Sequence, residues 1–417
     1  MKVLYLNPDR GIPVLGDKGA SVHVREFTTA LAALGHEVLL LCATLGEGNA
    51  RPPVQIVELP PGNSDALLNV EGVRRGLARS ILENRTARRE LARLAYERNF
   101  GAQVEAILMN LGFRPDLVYE RHALFHCAGA DIARKFGVPR ALEVNAPLIA
   151  EQEKFRDLCL KELAIAAERS SYFGADRIIA VSKEVSEYIA SCGVPRERIA
   201  TVPNGVDTSR FRPDAGGEAV RARLGLGADP VIGFIGSFKP WHGVDFLVDA
   251  FAAMASKNPT LRLLCVGEGP ELESARQATV ARGLNGRTVF TGRIPHIEIP
   301  AYLAAMDISV APYLLNQDFY FSPLKVVESM AAGTPVIAPR VGQLEMLIDD
   351  GESGILFASG DRDDFVEKTL SLVGDVPRRR RMSTAARARA LSLFSWEQAV
   401  GKILRGVGEH QKAVCSI

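Results

Sequence analysis

A strand, a glycine-bearing loop, a helix and a second strand open this chain, and the same order returns about 230 residues later. In the first copy, residues 3–6 read as a buried strand. Val22, Phe27, Leu31 and Leu34 then fall at helical spacing across 21–34, Gly35 ends that helix, and 38–42 reads as the next strand. In the second copy, 231–235 is a strand, 236–243 a loop, 244–254 a helix and 261–266 a strand. Two such units predict an α/β chain of two doubly wound, Rossmann-like halves rather than one large sheet. Further strands are expected at 117–120, 141–144, 177–181, 289–291, 308–311 and 335–338. Val202-Pro203-Asn204-Gly205-Val206-Asp207 marks the boundary, because Asn-Gly and the proline and glycines that follow favour irregular chain.

Composition narrows the partners. With 50 Lys+Arg against 49 Asp+Glu the formal charge is +1, which argues against nucleic acid as the principal ligand. No apolar run approaches the roughly 20 residues of a membrane span. The N-terminal apolar run is broken at Asn7-Pro8, too soon for a signal peptide. Six scattered cysteines show no Cys-x-x-Cys pair, so neither a zinc site nor a disulfide framework is expected. These features together place the chain in the cytoplasm. One segment departs from the average. Between 74 and 100 stand Arg74, Arg75, Arg79, Arg85, Arg88, Arg89, Arg93 and Arg98, with Leu77, Ile81, Leu82, Leu91, Leu94 and Ala95 as an apolar side. The pattern predicts one or two amphipathic helices. Their basic face is either solvated or a peripheral contact with anionic lipid at the inner face of the membrane or with an anionic acceptor.

In a doubly wound sheet ligands meet the carboxyl ends of the strands. After the first strand, Gly16-Asp17-Lys18-Gly19-Ala20-Ser21 leads into a helix. Small residues there let backbone N–H groups approach a phosphate or sugar; the alternative is a plain loop with Ser21 as helix cap. Arg121-His122 and Asn145-Ala146-Pro147 follow two further strands. In the second half, Gly236-Ser237-Phe238-Lys239-Pro240-Trp241-His242-Gly243 joins strand to helix. A helix over 324–332 carries Glu328 among apolar neighbours, a costly placement unless the carboxylate holds a hydroxyl or cation. Its start at Ser322-Pro323-Leu324 offers N–H groups to an anion. Gly267-Glu268-Gly269 lacks a third glycine, which weakens a dinucleotide-dehydrogenase reading. Asp361-Arg362-Asp363 has a spacing used for divalent metals, but capping of the helix pattern that follows explains it better.

Taken jointly, these stretches resemble glycosyltransferase family four, the retaining nucleotide-sugar transferases of GT-B fold. The resemblance rests on Gly19-Ala20-Ser21-Val22-His23-Val24-Arg25-Glu26, Ala33-Leu34-Gly35-His36-Glu37-Val38, Arg177 to Ser182, Val202 to Asp207 with Phe211-Arg212-Pro213, Val266 to Pro270, and Glu328 through Pro335. It implies an N-terminal acceptor domain over 1–205, a C-terminal donor domain over 206–395, and a closing helix over 396–417 that crosses back. It implies reaction in the interdomain cleft without a metal or other cofactor. The co-substrate is a nucleoside diphosphate sugar, a UDP- or GDP-sugar, and the acceptor a hydroxyl on a glycan, a lipid-linked glycan or a natural product. Glu328 matches the second acid of the family's Glu-x7-Glu motif, which holds the ribose, and 292–294 matches the stretch that meets the base. Lys239, Lys325 and His122 are the candidate catalytic residues. Glu328, Ser322, Leu324, Ser237, Ile294 and Gly19 are the candidate donor contacts, and Ala20, Arg121 and Asn145 the candidate acceptor contacts. The chain departs from the family where the first acid is Tyr320 and the usual phosphate-loop cations are Ser237 and His242. A nucleotide-sugar-binding regulatory partner and a sugar-nucleotide epimerase are the alternatives.

Overall fold

In a computed structural model the chain is described over residues 1–60, 83–314 and 319–414. It divides into two compact units, Met1–Pro203 together with the chain from Ala399 onward, and Asn204–Gln398. The first holds β1 (Lys2–Asn7), β2 (Glu37–Cys42), β3 (Gln55–Glu58), β4 (Leu117–Arg121), β5 (Arg140–Val144), β6 (Arg177–Ala180) and β7 (Ile199–Thr201). They form one sheet in the order β3-β2-β1-β4-β5-β6-β7, every pair parallel. The second holds β8 (Val231–Ile235), β9 (Arg262–Val266), β10 (Thr288–Phe290), β11 (Ile308–Val310), β12 (Val336–Pro339) and β13 (Gly354–Phe357), in the order β10-β9-β8-β11-β12-β13, again all parallel.

Parallel strands need crossover helices, and those helices cover both faces. That is why β1, β2, β4, β5 and β8 each hold a run of five consecutive buried residues. The strand order reverses direction between β1 and β4 in the first unit and between β8 and β11 in the second. Loops leaving these strands diverge to opposite faces and leave a crevice at the carboxyl ends. The candidate residues after β1, β4, β8 and β11 therefore stand at the two switch points.

Three strands escape the sequence reading: β3, β7 and β13. All are edge strands of three or four residues. A short edge strand is covered less, so β3 and β7 show no buried run at all. The helix after β1 begins at Gly19 and ends at Ala33, which makes Ser21 its third residue, buried and inside the first turn rather than its cap. Asp361 does cap the helix Arg362–Gly374, accepting from the N–H groups of Asp363 and Asp364 at 3.0 Å each.

The arginine-rich segment forms a single described helix, Arg85–Leu111, capped by Asn84 and ended by Gly112 in a left-handed conformation. Arg74, Arg75, Leu77, Arg79, Ile81 and Leu82 lie outside the described residues. The buried stripe is Ala92, Tyr96, Phe100, Val104 and Leu108, whereas Leu91, Leu94 and Ala95 are only half-buried. The four-residue ladder from Ala92 extends past residue 100 and outweighs the leucines that the shorter window emphasised. Arg85, Arg89 and Arg98 are exposed. No helix among the described residues is long and apolar enough to cross a membrane.

Candidate active site

In the second unit, the loops after β8, β9 and β10 lock together through their backbones. Gly236 N–H donates to Val266 O at 3.0 Å, Gly267 N–H to Gly292 O at 2.9 Å, and Phe238 N–H to Glu268 O at 2.9 Å. Gly267 sits at φ +132°, and a Cβ there would overlap the carbonyl oxygen of Gly236. Glycine at that position thus serves the packing of one loop on another, which is why the Gly-Glu-Gly stretch needs no third glycine. Ile294, two residues past Gly292, is half-buried against the core beneath.

Lys325 lies on the first turn of the helix Leu324–Ala331 and reaches back to the loop after β8. A Cβ on Gly236 would stand 2.6 Å from its Nζ. Its Nζ lies 4.6 Å from the centroid of Phe234 and 5.0 Å from that of Tyr313. It is shut off from solvent and has no hydrogen-bond acceptor among the described residues. Burial pulls its pKa down to about 7, against the opposing pull of Glu328. His242, at the far end of the same loop, turns Nδ1 onto the carbonyl oxygen of Ser237 and lies 3.4 Å from the Ser237 hydroxyl. Burial first, and then the charge of Lys325, push its pKa down to about 3, so the imidazole is neutral. Lys239 is exposed, with Nζ 4.8 Å over the Trp241 ring.

Glu328, three residues along the helix from Lys325, is buried and takes a hydrogen bond from His296 Nε2 at 2.7 Å on Oε1. His296 comes from the turn after β10 and lies 5.6 Å from the Phe211 ring. Ser322 is tied to Asn204, whose N–H donates to Ser322 Oγ at 3.0 Å and whose side-chain amide donates to Ser322 O at 3.1 Å. Pro323 supplies no side-chain cap, so the first-turn N–H groups at Leu324 and Lys325 are left for another acceptor.

In the first unit, Gly19 is exposed and Ala20 half-buried at the start of their helix, which likewise has no side-chain cap. Arg25, two turns in, donates to the carbonyls of Val14 and Gly16 and so holds the preceding loop in shape. Arg121 and Asn145 meet on one carboxylate, Glu143. Arg121 donates to its Oε1 at 2.8 Å and Asn145 Nδ2 donates to the same oxygen. Tyr119 Oη donates to Oε2 at 2.6 Å, and His23 Nε2 lies 2.9 Å from that oxygen. Burial alone would push the Glu143 carboxyl up. His23, Arg121 and Tyr119 outweigh it and hold the group well below the usual carboxylate range. His122 points elsewhere: its ring is buried, 3.6 Å from Glu168 and 5.2 Å from the Tyr172 ring.

Sequence reasoning missed Glu143, His296 and Arg25. Glu143 carried a signal, a carboxylate inside a strand otherwise buried, of the same kind that marked Glu328. His296 sits in irregular chain with no pattern around it, and only the fold brings it to Glu328.

Two family descriptions match the chain, Glycosyltransferase Family 4 over residues 18–210 and Glycosyl transferases group 1 over residues 229–375. The chain is 30% identical over 410 residues to a D-inositol 3-phosphate glycosyltransferase of Streptomyces bingchenggensis, covering 93% of this chain and 84% of the other. It is 31% identical over 246 residues to a GDP-mannose-dependent alpha-(1-6)-phosphatidylinositol monomannoside mannosyltransferase of Mycolicibacterium smegmatis, covering 57% of this chain and 64% of that one. Anabaena HepE, solved in complex with UDP-glucose, shares the fold with a TM-score of 0.68 at 18% identity over 100% of both chains.

Proposed function

The chain belongs to glycosyltransferase family four, and from that membership we propose that it moves a sugar from a UDP- or GDP-sugar to an acceptor hydroxyl, with retention at the anomeric carbon and without a metal ion. The glycosyltransferase activity and the nucleotide-sugar donor follow from the family. The observation that carries the finer reading is the buried Lys325 amine, which has no acceptor among the described residues and lies against the Gly236 loop one turn from Glu328. A diphosphate is the dianion that this group, once protonated, and the helix start at Leu324 would accept. Glu328 then takes the ribose hydroxyls on the oxygen that His296 leaves. Ser237 and Lys239 face the phosphates, Ser322 fixes the helix start, and the backbone at Ile294 meets the base. The first unit takes the acceptor through Ala20, Arg121 and Asn145, with Gly19 as a further donor contact and His122 as the third candidate catalytic residue. As Ser237 and His242 supply no charge, Lys325 and Lys239 replace the cations the family usually carries in the phosphate loop.

UDP-glucose and GDP-mannose, added separately at ~100 times the dissociation constant, test the reading: the one that fits should stabilise the chain by about 2.7 kcal/mol. Glu328→Ala should weaken that binding by about 1.5–3 kcal/mol, the range for hydrogen bonds to a charged group. Slow release of free nucleotide would mark a transferase, and release of an epimeric nucleotide sugar an epimerase. Tight binding with no turnover would mark a regulatory partner. A folded Glu328→Ala chain with unchanged affinity would remove the ribose role.

A further inference from the structure

We propose that, in mildly alkaline solution, Lys325 stands uncharged in the empty donor site and takes up a proton from solvent when the diphosphate arrives, so that donor binding there consumes one proton. The inference rests on the donor reading above and adds a linkage to it. The slot around Nζ is made by the faces of Phe234 and Tyr313 and by the missing side chain of Gly236. Nothing in it accepts a hydrogen bond among the described residues. The two ring faces attract a cation, but they accept no hydrogen bond, and the cost of burying an unpaired ammonium outweighs that attraction, so the group answers by losing its proton.

The charges that face it do little to change this. Lys239 and His242 come from the loop after β8. Lys239 is a like charge, and His242 is neutral because burial above all depresses it. The Tyr313 phenol is pushed up by burial and stays protonated. Glu328, on the same helix, is the group that favours the charged amine, but its Oε1 is engaged by His296. The balance leaves the amine titrating at about 7 in the empty site. A diphosphate brings two negative charges to the same place. The amine then gains both an acceptor and a counter-charge, its proton affinity rises, and –NH2 becomes –NH3⁺ at the expense of one proton from the buffer.

The sign follows from linkage. Below about pH 7 the amine is charged already and donor affinity is flat, whereas above it affinity should fall about tenfold per pH unit until the amine of the complex itself titrates. The nucleotide sugar is the right probe, because both its phosphates are esterified and neither has the second ionisation near pH 6 that a phosphate monoester shows. Calorimetric titration of the full chain with UDP-glucose or GDP-mannose at about pH 8, repeated in HEPES and in Tris, should give an uptake of about one proton, falling toward zero at about pH 6. Lys325→Arg, whose guanidinium keeps its charge, should bind with no uptake and no pH dependence. If that variant does not fold, NMR titration of the lysine Cε signals in the native chain gives the same answer. One lysine should titrate near pH 7 in the empty protein and move upward with ligand. Binding without proton uptake at about pH 8, uptake that persists in Lys325→Arg, or lysines that all titrate near their usual value of ~10.4 would each overturn the coupling and leave the donor reading standing. Failure of both nucleotide sugars to bind would overturn the donor reading and the coupling with it.

Discussion

Lys325→Ala should cut turnover by about 10²–10³, the loss seen when one preorganised stabiliser of transition-state charge is removed. The fall in donor affinity should be smaller. Protonating the buried amine costs free energy, and this cost offsets much of its attraction for the bound donor. As the donor bond breaks, charge builds on the leaving phosphate oxygen, and the full attraction is then expressed. The loss therefore belongs to kcat more than to KM. Lys239→Ala should act in the same direction and less strongly, since that lysine is exposed and leans on Trp241. Release of free nucleotide from the donor reads both variants without an acceptor in hand. Near-normal turnover in both would sink this account of the leaving group. So would activity that is lost in a chelator and restored by a divalent ion.

Most of the sheet architecture is legible in the sequence because parallel strands are buried on both faces. Residues 3–6, 38–42 and 231–235 announce themselves as apolar runs, and the glycine loops and helices between them leave a βαβ path as the short explanation. Edge strands such as β3 have half that burial and leave no such trace. In the second unit, Glu328 and Lys325 are legible for a related reason, as charges on a helix whose other residues are mostly apolar. Their partners are not. His296 reaches Glu328 across 32 positions of chain, and Lys325 finds its slot beside Gly236 across a longer gap still. Contacts of that kind depend on the order of strands in the sheet, which no local pattern encodes.

Glu143 shows how much such a hidden group carries. β4 and β5 pair with Arg121 opposite Glu143, and each residue is nearly without exposure. Removing the carboxylate takes the Glu143 contact from Arg121, with a side chain only 7% exposed, and from the buried His23. Breaking a buried pair from one side costs about 3–5 kcal/mol, and Glu143→Ala should lose stability in that range. Glu143→Gln keeps the shape and the Tyr119 contact and should lose less. The other face of the same two strands supplies an internal control, because Glu120 and Arg140 pair there at 2.6 Å and are untouched by either change. Both tryptophans of the chain, Trp241 and Trp396, belong to the second unit, so fluorescence would miss the effect. Hydrogen exchange of the β4 and β5 amides reads it directly. The pH dependence has a definite sign. A carboxyl whose folded pKa is depressed contributes stability above its unfolded value, near ~4.3, and loses it as pH falls toward the folded one. The native first unit should therefore weaken progressively below about pH 4, and in Glu143→Gln that part of the acid slope should be absent. Equal acid slopes in the two proteins, or exchange rates in Glu143→Ala that match the native chain, would show that the four groups around Glu143 do not depend on its charge.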